Sequence, residues 1–145
     1  MHCVAQILKA KQDNRVYTTT PDAKVIDAIK LMAERGIGAL LVMEQDSIVG
    51  IVTERDYARK VVLKGRASNE TPVRDIMTTS VMYVRPDTTN EQCMALMTEN
   101  RLRHLPVMEN EKLVGLISIG DLVADIISEQ QFIIEQMEHY IRGER

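Results

Sequence analysis

The heptapeptide Gly50-Ile51-Val52-Thr53-Glu54-Arg55-Asp56 is answered later in the chain by Gly115-Leu116-Ile117-Ser118-Ile119-Gly120-Asp121. Each has a glycine, two aliphatics, a hydroxyl residue and, three places after the hydroxyl, an aspartate, which is the pattern of a strand running into the start of a helix. Working outward, Pro21-Asp22 recurs as Pro86-Asp87, Leu31-Met32 as Leu96-Met97, Val42-Met43-Glu44 as Val107-Met108-Glu109 and Val49-Gly50 as Val114-Gly115. Every pair is separated by the same 65 residues, from 21 to 86 as from 56 to 121. An ungapped, constant offset of this extent is a duplication, so the fold unit is about 60 residues used twice.

Within each copy the periodicity changes in one order. Val25, Ala28, Ile29 and Met32 fall at helical spacing, and Ala39 to Met43 and Ser47 to Val52 are short apolar runs of strand type. Glu44-Gln45-Asp46, matched by Glu109-Asn110-Glu111, is a polar turn between the strands, and a second helix follows from Glu54 to Lys64. The β-rich pieces Arg15 to Thr20 and Val81 to Arg85 precede each Pro-Asp, giving strand, helix, strand, strand, helix per copy: an α/β (α+β) unit. Thr71-Pro72 reads as an N-cap and first helical position opening Val73 to Met77, and Val4 to Ala10 as the matching lead-in helix of the first copy. The organisation is thus repeat 1 over 1–66, repeat 2 over 67–128 and a helical extension over 129–145. One unit of this size buries too little alone, so the two are expected to pack together. In the extension, Ile126, Gln130, Ile133, Met137 and Tyr140 are spaced four, three, four, three. That is the spacing of a helix-pairing seam, and equally of a helix folded back on its own domain.

The 145 residues, 45% apolar and 27% charged, are of ordinary globular composition. With 18 basic against 21 acidic residues and the basic ones scattered, duplex nucleic acid is not an expected partner; aromatic residues at 3% leave no base-stacking platform for single strands. No apolar run approaches the roughly 18 residues that span a bilayer, and the start Met1-His2-Cys3-Val4 is unlike a secretion signal, so the expectation is a cytoplasmic protein with no membrane partner. Cys3 and Cys93 form no close pair and are read as reduced and structural; with three dispersed histidines they make no zinc motif, and no metal is expected.

The chemistry concentrates on the duplicated strand-to-helix stretch. A hydroxyl at a strand end and a carboxylate three residues later suit a ribonucleotide, the carboxylate accepting from vicinal ribose hydroxyls and the hydroxyl and helix N–H groups facing phosphate. The same spacing is also the capping box that opens ordinary helices, and the two readings coexist. Arg101-Leu102-Arg103-His104-Leu105-Pro106-Val107 places donors, Arg103 and His104, where the first copy has Gly38 and Ala39, so the two sites need not be equivalent; a solvated loop is the alternative. Arg55, Arg59, Lys60, Lys64 and Arg66 form a basic run, of which Arg55 is nearest a phosphate held at the helix start, though most such runs are solvated faces. There is no nucleophile elbow, no Lys-Ser/Thr phosphate loop and no His pair at ligand spacing, so the reading is of a binder without catalytic residues. A small enzyme using Arg103, His104 and Asp121 would lack a nucleophile and its base.

The duplicated Gly-aliphatic-aliphatic-Thr/Ser-x-x-Asp motif, the Pro-Asp before each helix and Arg-His-Leu-Pro-Val closely resemble a tandem pair of cystathionine-β-synthase (CBS) domains, the Bateman module, over residues 4 to 128. The stretch from Gly50 to Gly65 is similar to the stand-alone bacterial type. The resemblance implies two units packed sheet to sheet about a pseudo-twofold axis, with two clefts for adenine nucleotides. AMP is foremost, ATP, ADP and NADH are further candidates, and S-adenosylmethionine is a lesser one. It implies ribose on Asp56 and Asp121, the phosphate side on Thr53 and Ser118, phosphate on Arg103 and His104 of the Arg-His-Leu-Pro106 motif, and adenine near Thr79 and Val81. Because Gly38, Ala39 and Leu41 depart from the motif in the first copy, a nucleotide at Thr53 and Asp56 would borrow Arg103. A homodimer and a regulated partner protein, not identifiable from the sequence, complete the expectation of a nucleotide sensor acting in trans; the alternative is a dimeric scaffold of the same fold without a ligand response.

Overall fold

The computed structural model describes residues 2–11 and 14–143; Met1, residues 12–13 and the end of the C-terminal extension lie outside them. In chain order the elements are α1 (Val4–Ala10), β1 (Thr18–Thr19), α2 (Val25–Arg35), β2 (Ala39–Glu44), β3 (Ser47–Thr53), α3 (Glu54–Tyr57), a π-helical turn (Ala58–Val62), a 3-10 turn (Val73–Asp75), α4 (Asn90–Asn100), β4 (His104–Glu109), β5 (Lys112–Ser118) and α5 (Ile119–Ile141). The fold is of mixed α/β class, with strands β1-β2-β3 in one sheet and β4-β5 in another.

The duplication extends to hydrogen-bond register. β2 and β3 pair antiparallel from Ala39 opposite Thr53 to Glu44 opposite Ser47, with a bulge between Val42 and Met43. β4 and β5 repeat this from His104 opposite Ser118 to Glu109 opposite Lys112, with the bulge between Val107 and Met108. The connecting residues Gln45 and Asp46, and Asn110 and Glu111, all have positive φ, which is what a two-residue hairpin needs to match the strand twist.

Each compact unit has its own core, and five buried places in the two cores correspond at the repeat offset. Ala28, Met32, Leu40, Val42 and Val52 are buried in one. Cys93, Met97, Leu105, Val107 and Ile117, each 65 positions on, are buried in the other. The units are not cut where the repeats are: one spans Arg15–Met82, while the other joins Met1–Asn14 to Tyr83–Arg145. The cause is α1. Expected from the sequence to open the first copy, it packs into the second, where Val4 and Ile7 complete the core. In the first copy that place is filled by Val73 and Ile76, from the lead-in segment of the second. Each copy is closed by the segment that precedes the other.

Local departures from the sequence expectation have identifiable causes. The strand expected over Arg15–Thr20 pairs only at Thr18 and Thr19, parallel to Leu41 and Val42. That expected over Val81–Arg85 is reduced to a bridge between Val84 and Val107. In the second copy the ladder stops because Pro106, which accepts from Val84 N–H at 2.9 Å, has no N–H to continue it. Thr71 is not an N-cap; its hydroxyl donates to Ala67 O at 2.8 Å, and Pro72 takes the cap position of a single 3-10 turn. That turn's first N–H groups are used by Ala23 O and Pro21 O. The helix expected from Glu54 to Lys64 widens into the π turn after Tyr57, with Leu63 N–H reaching back to Ala58 O and Val61 buried. α5 runs unbroken for 23 residues, and residues 130–143 are exposed, so the extension is not folded back on its own unit. Among the described residues no helix is long and apolar enough to cross a membrane.

The glycine that opens each motif lets a lead-in segment approach the sheet. A Cβ on Gly50 would lie 2.9 Å from Thr78 O, a backbone atom that is itself paired with Ile51, and 2.8 Å from Met77 Sδ. A Cβ on Gly115 would meet only the flexible Leu8 side chain, at 2.9 Å. Gly50→Ala is therefore expected to destabilise the protein by about 1–3 kcal/mol, the range for overpacking, and Gly115→Ala by less. Urea midpoints of the two variants measured side by side check the order.

Candidate functional site

The strand end and helix start of each motif form one compact hydrogen-bonded group. In the first copy Thr53, in extended conformation at the end of β3, accepts the Asp56 N–H on its hydroxyl at 3.1 Å. The Asp56 carboxylate returns to Thr53, its Oδ2 accepting from the backbone N–H at 3.0 Å and from Oγ1 at 3.1 Å. In the second copy Ser118 accepts the Asp121 N–H at 3.1 Å, and Asp121 Oδ2 accepts Ser118 N–H at 2.8 Å. The capping box is thus realised twice, and it holds each carboxylate at the mouth of a helix.

A lysine completes each group, and neither was singled out as a partner of the aspartate from the sequence. Lys60 Nζ lies 3.1 Å from Asp56 Oδ1 and donates to Ile76 O at 2.9 Å. Lys11 Nζ lies 3.0 Å from Asp121 Oδ2 and donates to Leu116 O at 2.9 Å. Lys60 reaches its aspartate from four residues along the helix, a spacing legible in the sequence. Lys11 comes from the end of α1, 110 residues before Asp121, and no sequence signal would have found it. Two unrelated positions therefore supply the same ammonium group to the same carboxylate. The aspartate side chains are 13% and 20% exposed, accessible enough for a ligand to reach them.

The other expected site residues divide between the two units. With Thr53 and Asp56 are Arg55, exposed on α3, and Thr79, also exposed. Thr79 directly follows Thr78, whose N–H and C=O pair with Ile51 two residues before Thr53, and Val81 is half-buried with its N–H on Thr79 O at 3.1 Å. With Ser118 and Asp121 are Arg103, exposed, and His104, directly across the ladder from Ser118. Arg103 O accepts Ile119 N–H at 2.9 Å, as Gly38 O accepts Glu54 N–H at 3.1 Å in the first copy. Pro106 is a buried strand residue.

His104 is electrostatically part of this group. Desolvation in its half-buried position lowers its pKa from 6.5; the Asp121 carboxylate opposes the shift, and Lys11 and Arg103 reinforce it. The neutral ring can therefore accept or donate a hydrogen bond at neutral pH. Cys93, by contrast, is sealed in the second core, and burial pushes its thiol up to about 11, consistent with a packing role.

A CBS-domain family model matches residues 8–63 and again 73–128. The chain belongs to the CBS-domain family. As a tandem CBS pair it is similar to the CBS domain-containing protein CBSX3, mitochondrial, of Arabidopsis thaliana, with 38% identity over 97% of this chain and 72% of that one. It is also similar to the solved structure of a protein with CBS domains from Burkholderia ambifaria, with 62% identity, a TM-score of 0.85 and coverage of 88% of this chain and 96% of that one. Two more distant CBS structures share the fold: CBSX2 in complex with AMP, 24% identical over 90% of this chain and 99% of that one at a TM-score of 0.72, and the CBS pair of MJ0100 with 5′-methylthioadenosine and S-adenosylmethionine, 20% identical over 90% and 98% at 0.76.

Because the folded-state pKa of His104 lies below its unfolded value, the stability it contributes is complete above pH 6.5 and is lost as pH falls from there through the folded value. An NMR titration should place His104 below 6.5. Lys11→Met should move that midpoint up and Asp121→Asn should move it further down; a midpoint indifferent to both would separate the ring from the group.

Proposed function

We propose that this CBS pair is a cytoplasmic regulatory sensor of adenine nucleotides, with AMP the foremost ligand, acting in trans on a partner protein and not as an enzyme. The observation that carries the reading is the twice-built Thr53-Asp56-Lys60 and Ser118-Asp121-Lys11 group, a carboxylate and an ammonium held together at a helix start. A nucleoside monophosphate offers the matching pair of functions: vicinal hydroxyls that donate to a carboxylate, and a phosphate that takes a cation. AMP in CBSX2 and the two adenosine compounds in MJ0100 support an adenosine ligand over other nucleosides. Arg103, His104, Ser118 and Asp121 are the richer set of donors, so the second copy is the stronger phosphate site. In the first copy, where Gly38 and Ala39 replace the arginine and histidine, Arg55 and Lys60 take that part, with Thr79 and Val81 near the base.

Both carboxylates already have partners within the chain, and this observation favours the second reading, a scaffold in which the motifs only cap helices. Isothermal titration with AMP, ADP, ATP, NADH and S-adenosylmethionine separates the two, since the scaffold binds none. Asp121→Asn keeps an oxygen for the cap while removing the charge. It is expected to weaken AMP binding at the second copy by about 1.5–3 kcal/mol, the worth of hydrogen bonds to a charged group, with 2′-deoxy-AMP losing part of the same energy. Unchanged affinity in the variant would defeat the assignment.

The surface through which the sensor is read is α5. Ile127, Phe132, Ile133, Ile134, Met137, Tyr140 and Ile141 are 50–85% exposed along its free half, far more apolar surface than a helix in water retains. We propose that two copies pair through this stripe as a homodimer, the seam including Ile126, Gln130, Ile133, Met137 and Tyr140. Truncation after Ser128 should then lower the sedimentation mass from dimer to monomer; an unchanged mass would place the interface elsewhere.

A further inference from the structure

Away from the two capped aspartates, one cluster of metal-ligating side chains is unused by the functional reading. Asp125 and Glu129 stand four residues apart on α5, on one face of the helix. His2 faces them, with its Nδ1 2.5 Å from Asp125 Oδ1 and its Nε2 4.0 Å from Glu129 Oε1. One ligand atom from each of the three lies within 4.8 Å of the others. His2 is held in place by the backbone: its carbonyl accepts Asn90 N–H at 3.0 Å, and Cys3 bridges to Thr89. Asp125, its side chain 8% exposed, is oriented by Asn90, whose Nδ2 donates to Asp125 Oδ2 at 2.9 Å and to Leu122 O at 3.0 Å.

Asn90 supplies an independent observation. Only 2% exposed, it directs its amide at Asp125, yet its Oδ1 is buried with no hydrogen-bond partner among the described residues. A buried acceptor left unmet is costly, and its explanation is most often an absent water or ion. We infer that His2, Asp125 and Glu129 form a binding site for a first-row divalent metal ion of the zinc class, with Asn90 as the positioning residue behind Asp125. A neutral imidazole and two carboxylates carry two negative charges, which a divalent cation balances. The imidazole favours zinc-class ions over Mg2+ and Ca2+, which take oxygen ligands. Ligand bonds of about 2.0–2.2 Å bring donor atoms on one ion to about 3–3.5 Å apart, so one imidazole nitrogen and one oxygen of each carboxylate, which lie within 4.8 Å of one another, need only small side-chain shifts to share an ion. Three protein ligands leave a coordination position for water. The buried hydrogen bond behind Asp125 is the outer-shell support usual for such ligands. Bound metal would fasten the start of the chain to α5.

The experiment is a zinc titration of the full, untagged, chelator-treated chain, with a competing chromophoric chelator as readout and Mg2+ as the control ion. One Zn2+ per chain is expected. Glu129→Gln, a near-isosteric change at a partly exposed helix position, and His2→Ala should each lower the affinity ten- to a hundredfold, while Cys3→Ser leaves it unchanged. Zn2+ should also raise the melting temperature of the wild-type chain and not of Glu129→Gln. No saturable binding below millimolar zinc, equal affinity in Glu129→Gln and His2→Ala, or affinity lost in Cys3→Ser would each overturn the site and leave a simple histidine-aspartate hydrogen bond.

Discussion

The packing of each lead-in segment into the other copy's core is the constraint from which the rest follows. Val4 and Ile7 in one core and Val73 and Ile76 in the other fill corresponding places, and all four are at most 3% exposed. A unit of about 60 residues is short of interior, and withdrawing two buried aliphatics from either core would leave a cavity costing several kcal/mol, a large part of what a domain of this size possesses. The same arrangement explains the glycines that open both motifs, since it is over Gly50 and Gly115 that Met77, Thr78 and Leu8 pass. It also delivers Lys11 to Asp121, because Lys11 is the residue at which α1 ends.

The capping reading of the duplicated motif is realised in both copies, and the proposed ligand reading is compatible with it. A cap fixes the carboxylate and the first helical N–H groups in a defined orientation without burying them, and the lysine adds a cation within hydrogen-bond reach. Such a group is preorganised, its side chains held by contacts the chain already makes. The two copies differ in how much they add. His104 and Arg103 stand where the first copy has Ala39 and Gly38, while register, bulge and cap are the same in both. Side chains have therefore diverged on a backbone arrangement that is kept in both.

Much of this was legible in the sequence for one physical reason: a tandem duplication prints the same burial pattern twice. Ala28 with Cys93, Met32 with Met97 and Leu40 with Leu105 lie at the repeat offset and occupy corresponding core places. The α2 and hairpin boundaries, set by local spacing and by polar turns, also emerge close to their observed ends. What was not legible depends on contacts distant in sequence. Periodicity shows that Val4–Ala10 has an apolar face but not which core receives it, and Lys11 is invisible as a partner of Asp121 for the same reason. The shortened strand at Val84 turns on the missing N–H of a proline some twenty residues away, and the His2-Asp125 pairing on two ends of the chain meeting. Thr71 is not the cap because the turn begins one residue later, after Pro72, and its first N–H groups go to Ala23 O and Pro21 O.

The discontinuity of one unit also sets an order of events on the ribosome. Arg15–Met82 is continuous and holds all the residues of its core, so it is complete as soon as that stretch has emerged. α1, made before it, has no core to enter until β4 and β5 exist, because Leu105, Val107 and Ile117 are among the residues it packs with. Closing that second core therefore requires contacts spanning about a hundred residues, which are slow to form. The second core thus joins a helix made early to strands made late, and it stays open until β5 has been made.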